Sequence, residues 1–133
     1  NTYGPGQKES MLIPTLINQI NDSNKLTMRN LHCTRDFVYI DDIVRGIYDS
    51  GTKAKNGDII NLGTGIETSI QSLIDSVTTI IGRKIIVEVQ ESKSLVPIVE
   101  RSQSDIQKAN TVLSWYPEIS LNEGLKRLIN SRN

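Results

Sequence analysis

Between Ser10 and Ile20 the apolar positions Leu12, Ile13, Leu16, Ile17 and Ile20 recur at the three- and four-residue spacing of one helix face. Pro14 falls in the first turn, where a missing N–H is no loss, and NDSN at 21–24 ends the helix. LTM then reads as a brief strand, and Phe37 to Ile40 as a second β-rich run that ends on Asp41 and Asp42. Either acid is expected to cap the following helix, which sets Ile43, Val44, Ile47 and Tyr48 on one face and stops at Gly51. After a turn at Asn56 and Gly57, Asp58 to Leu62 reads as a strand running into Gly63, Thr64 and Gly65. The clearest helix follows: Ile70, Leu73, Ile74, Val77, Ile80 and Ile81 keep helical spacing, with Thr68 or Ser69 as cap and Gly82 as stop. Lys84 to Val89 is a strand, 90–104 is irregular, and Asp105 to Leu113 is a short helix. Ser120 to Glu123 forms a capping box before a last helix carrying Leu121, Leu125, Leu128 and Ile129. Strands and helices alternate, but the strands are too few and short for a complete doubly wound sheet, so the pattern predicts a small mixed α/β lobe.

Composition narrows the partners. The 133 residues suit one domain, and fifteen basic residues balance fifteen acidic ones. No charge excess draws the chain to a phosphate backbone or an anionic surface, so neither nucleic acid nor a membrane is expected as partner. Cys33 is the only cysteine, which excludes an intramolecular disulfide and suits a reducing compartment. No apolar run approaches a membrane span and no charged-then-apolar leader precedes the first turn, so a soluble, cytoplasmic protein without a signal peptide is expected.

Several stretches carry candidate chemistry. NLGTG at 61–65 resembles a phosphate-cradling glycine loop, but Thr68 stands where a third glycine belongs, and no acid ends a following strand at the distance of a ribose ligand. A structural turn is the favoured reading. Asp36, Asp41 and Asp42 suggest an acid and base pair or an oxygen-ligand metal site, yet no histidine at ligand spacing or supporting glycine loop accompanies them. His32 and Cys33 are neighbours on an extended chain and point to opposite faces, which speaks against a nucleophile and base pair. Arg35 and Arg101 differ, because each lies in or beside an apolar stretch, where a guanidinium needs an anion. That anion is either a ligand phosphate or an internal acid, with Asp36, Glu100 and Asp105 the nearest in sequence.

Taken in order, NTYGPGQ, LIP at 12–14, TRDFVYIDD, DIINLGTG and RSQSDIQKANTVLSWYP with its LNEGL resemble the C-terminal, substrate-binding portion of the extended short-chain dehydrogenases, the NAD-dependent nucleotide-sugar epimerases and dehydratases. The resemblance runs over nearly all of residues 1–133 and implies the C-terminal part of a Rossmann-type fold. It implies that NAD is held mainly by an N-terminal domain whose GxxGxxG and YxxxK motifs this chain does not contain, so no catalytic residue is assigned here and the chain alone is expected to be inactive. The asparagine of the family's NxYGP motif falls on Asn1, whose amide is expected near the diphosphate of the nucleotide sugar. The arginine of RDF falls on Arg35, and the arginine four residues before the aspartate of the DxxKA-like stretch falls on Arg101. Both match the family's pyrophosphate clamps, and Leu12 and Ile13 are expected near the base or sugar.

MRNLHCTRDF is closer to the NLxxxRD form of the 4,6-dehydratases than to the glycine-bearing loop of many epimerases. The resemblance therefore implies a dehydratase that oxidises C4 with NAD, eliminates water across C5 and C6 and returns hydride to C6. A 4-epimerase and a non-catalytic binding module of the same fold are the alternatives, and a homodimer is expected for the full-length enzyme. Arg29 stands where that form has glycine, which leaves the nucleotide open, and SW at 114–115 replaces the family's GW as a structural variation. The helices after Ser10 and Asp42 are expected to present apolar surface that another lobe would cover.

Overall fold

The computed structural model describes residues 1–90 and 98–132. Four helices frame three two-stranded ladders: β1 (Thr2–Tyr3), α1 (Leu12–Asp22), β2 (Lys25–Met28), β3 (Thr34–Arg35), β4 (Val38–Tyr39), α2 (Ile40–Lys53), β5 (Thr68–Ser69), α3 (Ile70–Ile81), β6 (Ile86–Val89) and α4 (Leu121–Asn130). β1 pairs with β4 and β2 with β6 in parallel, while β3 and β5 are antiparallel, with Thr34 opposite Ser69 and Arg35 opposite Thr68. This is the small mixed α/β lobe that the sequence predicts. Of the irregular span at 90–104, residues 91–97 lie outside the described residues.

The main core joins α1, α3 and α4 to the strands. Leu16, Ile17 and Ile20 of α1, Leu73, Ile74 and Val77 of α3 and Leu125 and Leu128 of α4 are all buried in it, with Leu26, Phe37 and the edge-packed Tyr3 and Tyr39. α1 therefore turns its apolar face inward, against the expectation that it would lie uncovered. A second, smaller core of Ala109, Leu113 and Trp115 rests on α2, where the Trp115 Nε1–H donates to the Asp42 carbonyl at 3.0 Å. Val44, Ile47 and Tyr48 on the other face of α2 are exposed, and there the expectation of apolar surface holds.

Helix ends follow their predicted chemistry in part. The Ser69 hydroxyl accepts from the Ser72 amide at the start of α3, Gly82 ends that helix at φ 72°, and Ser120 caps α4 by accepting from the Glu123 amide at 3.3 Å. α2 departs from expectation: it starts after Tyr39, neither Asp41 nor Asp42 caps it, and it runs past Gly51 to Lys53. Both acids lie inside the first turn, where the helix dipole favours them. Asp58 to Leu62 forms no ladder with any described residue, because Ile60 and Leu62 pack on the Trp115 core and no strand lies alongside to complete the hydrogen bonds. The predicted helix at 105–113 is a π turn over Ala109–Leu113 closed by Ser114 in the left-handed region, at φ 54° and ψ 33°.

That backbone explains why a glycine suits the position. A left-handed conformation costs an L-residue roughly 1–2 kcal/mol, of which the greater unfolded-state freedom of glycine returns part. Ser114→Gly is expected to raise stability by about 0.5–1 kcal/mol, read from the urea midpoint at unchanged slope. A lower midpoint would contradict this account of the turn.

Candidate functional site

Asp36 organises the loops at the end of β3. Its carboxylate is 2% exposed and accepts from the Thr64 amide at 2.8 Å, the Thr64 hydroxyl, the Gly65 amide at 3.0 Å and the Ser104 amide at 3.1 Å. The glycine loop thus does cradle an anion, and the anion is an internal carboxylate. Gly63 has no room for a side chain, since a Cβ there would lie 2.7 Å from Asp36 Oδ2 and closer still to Ser104. Burial pushes the Asp36 pKa upward, but the hydrogen bonds from Thr64, Gly65 and Ser104 outweigh it and leave the group below the ordinary aspartate value.

With Asp36 consumed, the neighbouring Arg35 is left to face the other way. The half-buried Arg35 lines a cavity of about 370 Å³, and its Nη1 donates to the Thr34 carbonyl at 2.6 Å. No carboxylate among the described residues lies within ion-pair distance of it. The cavity wall brings Asn1, Leu12, Ile13 and Arg35 together with Gln7, Met28, Arg29, Asn30, Phe37 and Ile98. Two guanidinium groups and no described acid line it, between apolar walls from α1, β2 and Ile70. The backbone of Asn1 is fixed beside β4, where its carbonyl accepts from the Val38 amide at 3.1 Å. Ile13 is buried in the main core and Leu12 is partly buried against it, so each offers the cavity an apolar edge.

Arg101 stands outside the cavity wall, tied to the strand that supports it. Its Nε and Nη2 fork onto Glu67 at 3.1 and 2.5 Å, and Glu67 Oε1 also accepts from the Thr34 hydroxyl at 2.7 Å. The Thr34 amide in turn donates to the Glu100 carbonyl at 2.8 Å, which holds that segment along β3. The internal partner of Arg101 is Glu67 and not Glu100 or Asp105, because β5 pairing brings Glu67 beside Thr34. The hydrogen bonds from Arg101 and then Thr34 pull the Glu67 pKa down from 4.5 to about 2.

The other sequence candidates have structural work. Asp42 is 1% exposed, pairs with Arg45 at 2.6 Å and accepts from the Glu118 and Ile119 amides, so it anchors the chain entering α4. Asp41 is exposed and lies 3.8 Å from Arg127. His32 is exposed and Cys33 buried, as opposite-facing neighbours should be. Among the described residues no group of histidine, cysteine and acidic side chains is placed to hold a metal. No described helix is long and apolar enough to cross a membrane. Gln7, Asn30 and Glu67 escape a reading of the sequence, since polar residues in loops carry no periodicity that marks them.

The cavity is apolar-walled, and its Arg35 has no carboxylate partner among the described residues. Residues 1–128 match the family described as GDP-mannose 4,6 dehydratase, and the chain belongs to this family of NAD-dependent nucleotide-sugar epimerases and dehydratases. A UDP-glucuronate 4-epimerase of Thermodesulfobacterium geofontis is 38% identical over 131 residues, covering 96% of this chain and 39% of that protein. A dTDP-D-glucose 4,6-dehydratase of Bos taurus is 29% identical over 97% of this chain and 38% of that protein. The solved UDP-glucuronic acid 4-epimerase of Bacillus cereus, in complex with UDP-glucuronic acid and NAD, superposes with a TM-score of 0.87 at 33% identity, over 98% of this chain and 42% of that one. The chain thus spans about two fifths of the length of the curated relatives it matches.

Two measurements test this geometry. Asp36→Ala leaves three backbone donors without their acceptor, at about 1–3 kcal/mol each, and is expected to cost at least about 3 kcal/mol in urea unfolding. A loss below about 1 kcal/mol would remove Asp36 from its organising role. The depressed Glu67 pKa gives stability that is fully present above 4.5 and lost as pH falls from 4.5 towards 2. Thermal midpoints should drop through that window, and drop less in Glu67→Gln; identical profiles would contradict the ion pair.

Proposed function

We propose that the cavity binds a nucleoside-diphosphate sugar, as the substrate-binding part of an NAD-dependent nucleotide-sugar epimerase or dehydratase. The observation that carries this is Arg35: half-buried, on the wall of a cavity of about 370 Å³, and without a carboxylate partner among the described residues. A diphosphate offers paired anionic oxygens that a guanidinium holds with two parallel hydrogen bonds. Asn1 supplies an amide at the same wall, while Leu12, Ile13 and Met28 supply apolar surface for a base or sugar ring. Arg101 is the second cation of the clamp.

Dehydration is the reaction we assign, supported by the NLxxxRD form of NLHCTRD at 30–36 and by the dehydratase description of the matched family. The second reading is 4-epimerisation, favoured by the 38% and 33% identities to UDP-glucuronate 4-epimerases. NAD belongs to the proposal for the whole enzyme. The described residues of this chain do not fit it as holders, since the one glycine loop lacks a third glycine and its amides are spent on Asp36. Hydride chemistry accordingly falls to residues outside this chain, and the chain alone is proposed to turn over nothing. Work in the cytoplasm as a homodimer completes the reading.

Titration calorimetry with UDP and GDP tests the binding. Arg35→Ala should weaken the better ligand by at least tenfold, equivalent to about 1.4 kcal/mol. Unchanged affinity would reduce Arg35 to a structural residue. For the whole enzyme, a ketosugar lighter by one water supports dehydration, and an inverted sugar of unchanged mass replaces it with epimerisation.

A further inference from the structure

Thr34 touches Arg35 directly and reaches Arg101 only through Glu67, in opposite directions. Its carbonyl accepts from Arg35 Nη1 at 2.6 Å, and its hydroxyl donates to Glu67 Oε1 at 2.7 Å. Glu67 then takes Arg101 side-on, through Nε and Nη2. A guanidinium carries five N–H groups, and a side-on fork occupies two, leaving the Nη1 hydrogens and one on Nη2 turned away from the carboxylate. The Arg101 side chain is 76% exposed while the Glu67 carboxylate is only 18% exposed, so the acid is the fixed member of the pair and the unused edge of the cation faces solvent.

We propose that Glu67 and Thr34 are positioning residues, which hold Arg101 and Arg35 as one two-arginine clamp for the diphosphate of a nucleotide. This rests on the reading of the cavity as a nucleotide-sugar site and assigns to it two residues that touch no substrate. The alternative for Glu67 is competition, in which the acid occupies Arg101 and the ligand must displace it. Geometry favours positioning for two reasons. The outward edge of Arg101 is available without breaking either bond to Glu67. The Thr34 hydroxyl also fixes Glu67 from the side of β3, so the carboxylate is held in place by more than the arginine. An arginine with a flexible four-bond stem loses rotamer freedom when it binds an anion, and a carboxylate that has already ordered it removes that cost from the binding step.

The probe is UDP, titrated calorimetrically into the wild-type chain and into Glu67→Gln, Thr34→Val, Thr34→Ser, Arg101→Ala, Arg35→Ala and the Glu67→Gln, Arg101→Ala double variant. Glu67→Gln and Thr34→Val should each weaken UDP by fivefold or more, and Thr34→Ser, which restores the hydroxyl, should recover affinity. In the Arg101→Ala background Glu67→Gln should have less than a twofold effect, because a residue acting through Arg101 has nothing left to position. A general loss of structure would weaken binding in both backgrounds and would overturn the proposal. Tighter binding by Glu67→Gln would overturn it in favour of competition. If the wild type binds UDP and only Arg35→Ala weakens it, the positioning role falls while the nucleotide site stands. If the wild type does not bind UDP at all, the nucleotide reading fails and the clamp with it.

Discussion

The Asp36 carboxylate is the constraint on which the site depends. A buried charge is tolerated when hydrogen bonds replace its lost water, and four donors from two distant segments do so here. The same bonds fasten the glycine loop and the Ser104 segment to the end of β3. Arg35 and Phe37, which line the cavity, flank this anchored side chain in the sequence. Asp36 and Arg35 are adjacent in sequence and opposite in charge, and they do not neutralise one another. The acid is spent inward, so the cation beside it is unspent. That separation along an extended backbone, where successive side chains leave on opposite faces, makes an electropositive wall without a net charge on the molecule.

Such a wall differs from the electrostatic footprint of a nucleic-acid protein. The balance of fifteen basic and fifteen acidic residues gives no net charge to draw anions from a distance, so any attraction would come from the arginines at the cavity wall. Under the proposed function, selectivity would rest on the spacing of guanidinium groups and on the apolar surface that flanks them. The ladder of β3 and β5 sets Glu67 beside Thr34 and with it the place of Arg101.

Much of this was legible in the chain. The spacing of Ile70, Leu73, Ile74 and Val77 finds α3 with its cap and its stop, because an amphipathic helix writes its own period. Arg35 stands out since a cation in an apolar run needs a reason. Less legible were the outcomes decided by distant pairing. Nothing local distinguishes Asp42 as an anchor for Glu118 and Ile119 from Asp42 as a helix cap, for both use the same carboxylate. Asp58 to Leu62 has the composition of a strand, but a strand exists only beside another, and its inward residues found the Trp115 core instead. Glu67 is invisible for a related reason: its partners lie 33 and 34 residues away.

Those separations also bear on when the cavity comes into being. Asp36 joins Thr64 across 28 residues and Ser104 across 68, and β2 waits for β6 from beyond α3. Closing such loops costs entropy before any contact rewards it, so contacts of this range form late in folding. A partly folded chain with α1 and α3 already in place would have hydrophobic surface but no assembled cavity. A nucleotide bound as proposed would recognise only the finished molecule, and its binding energy would act by mass action on the final folding equilibrium.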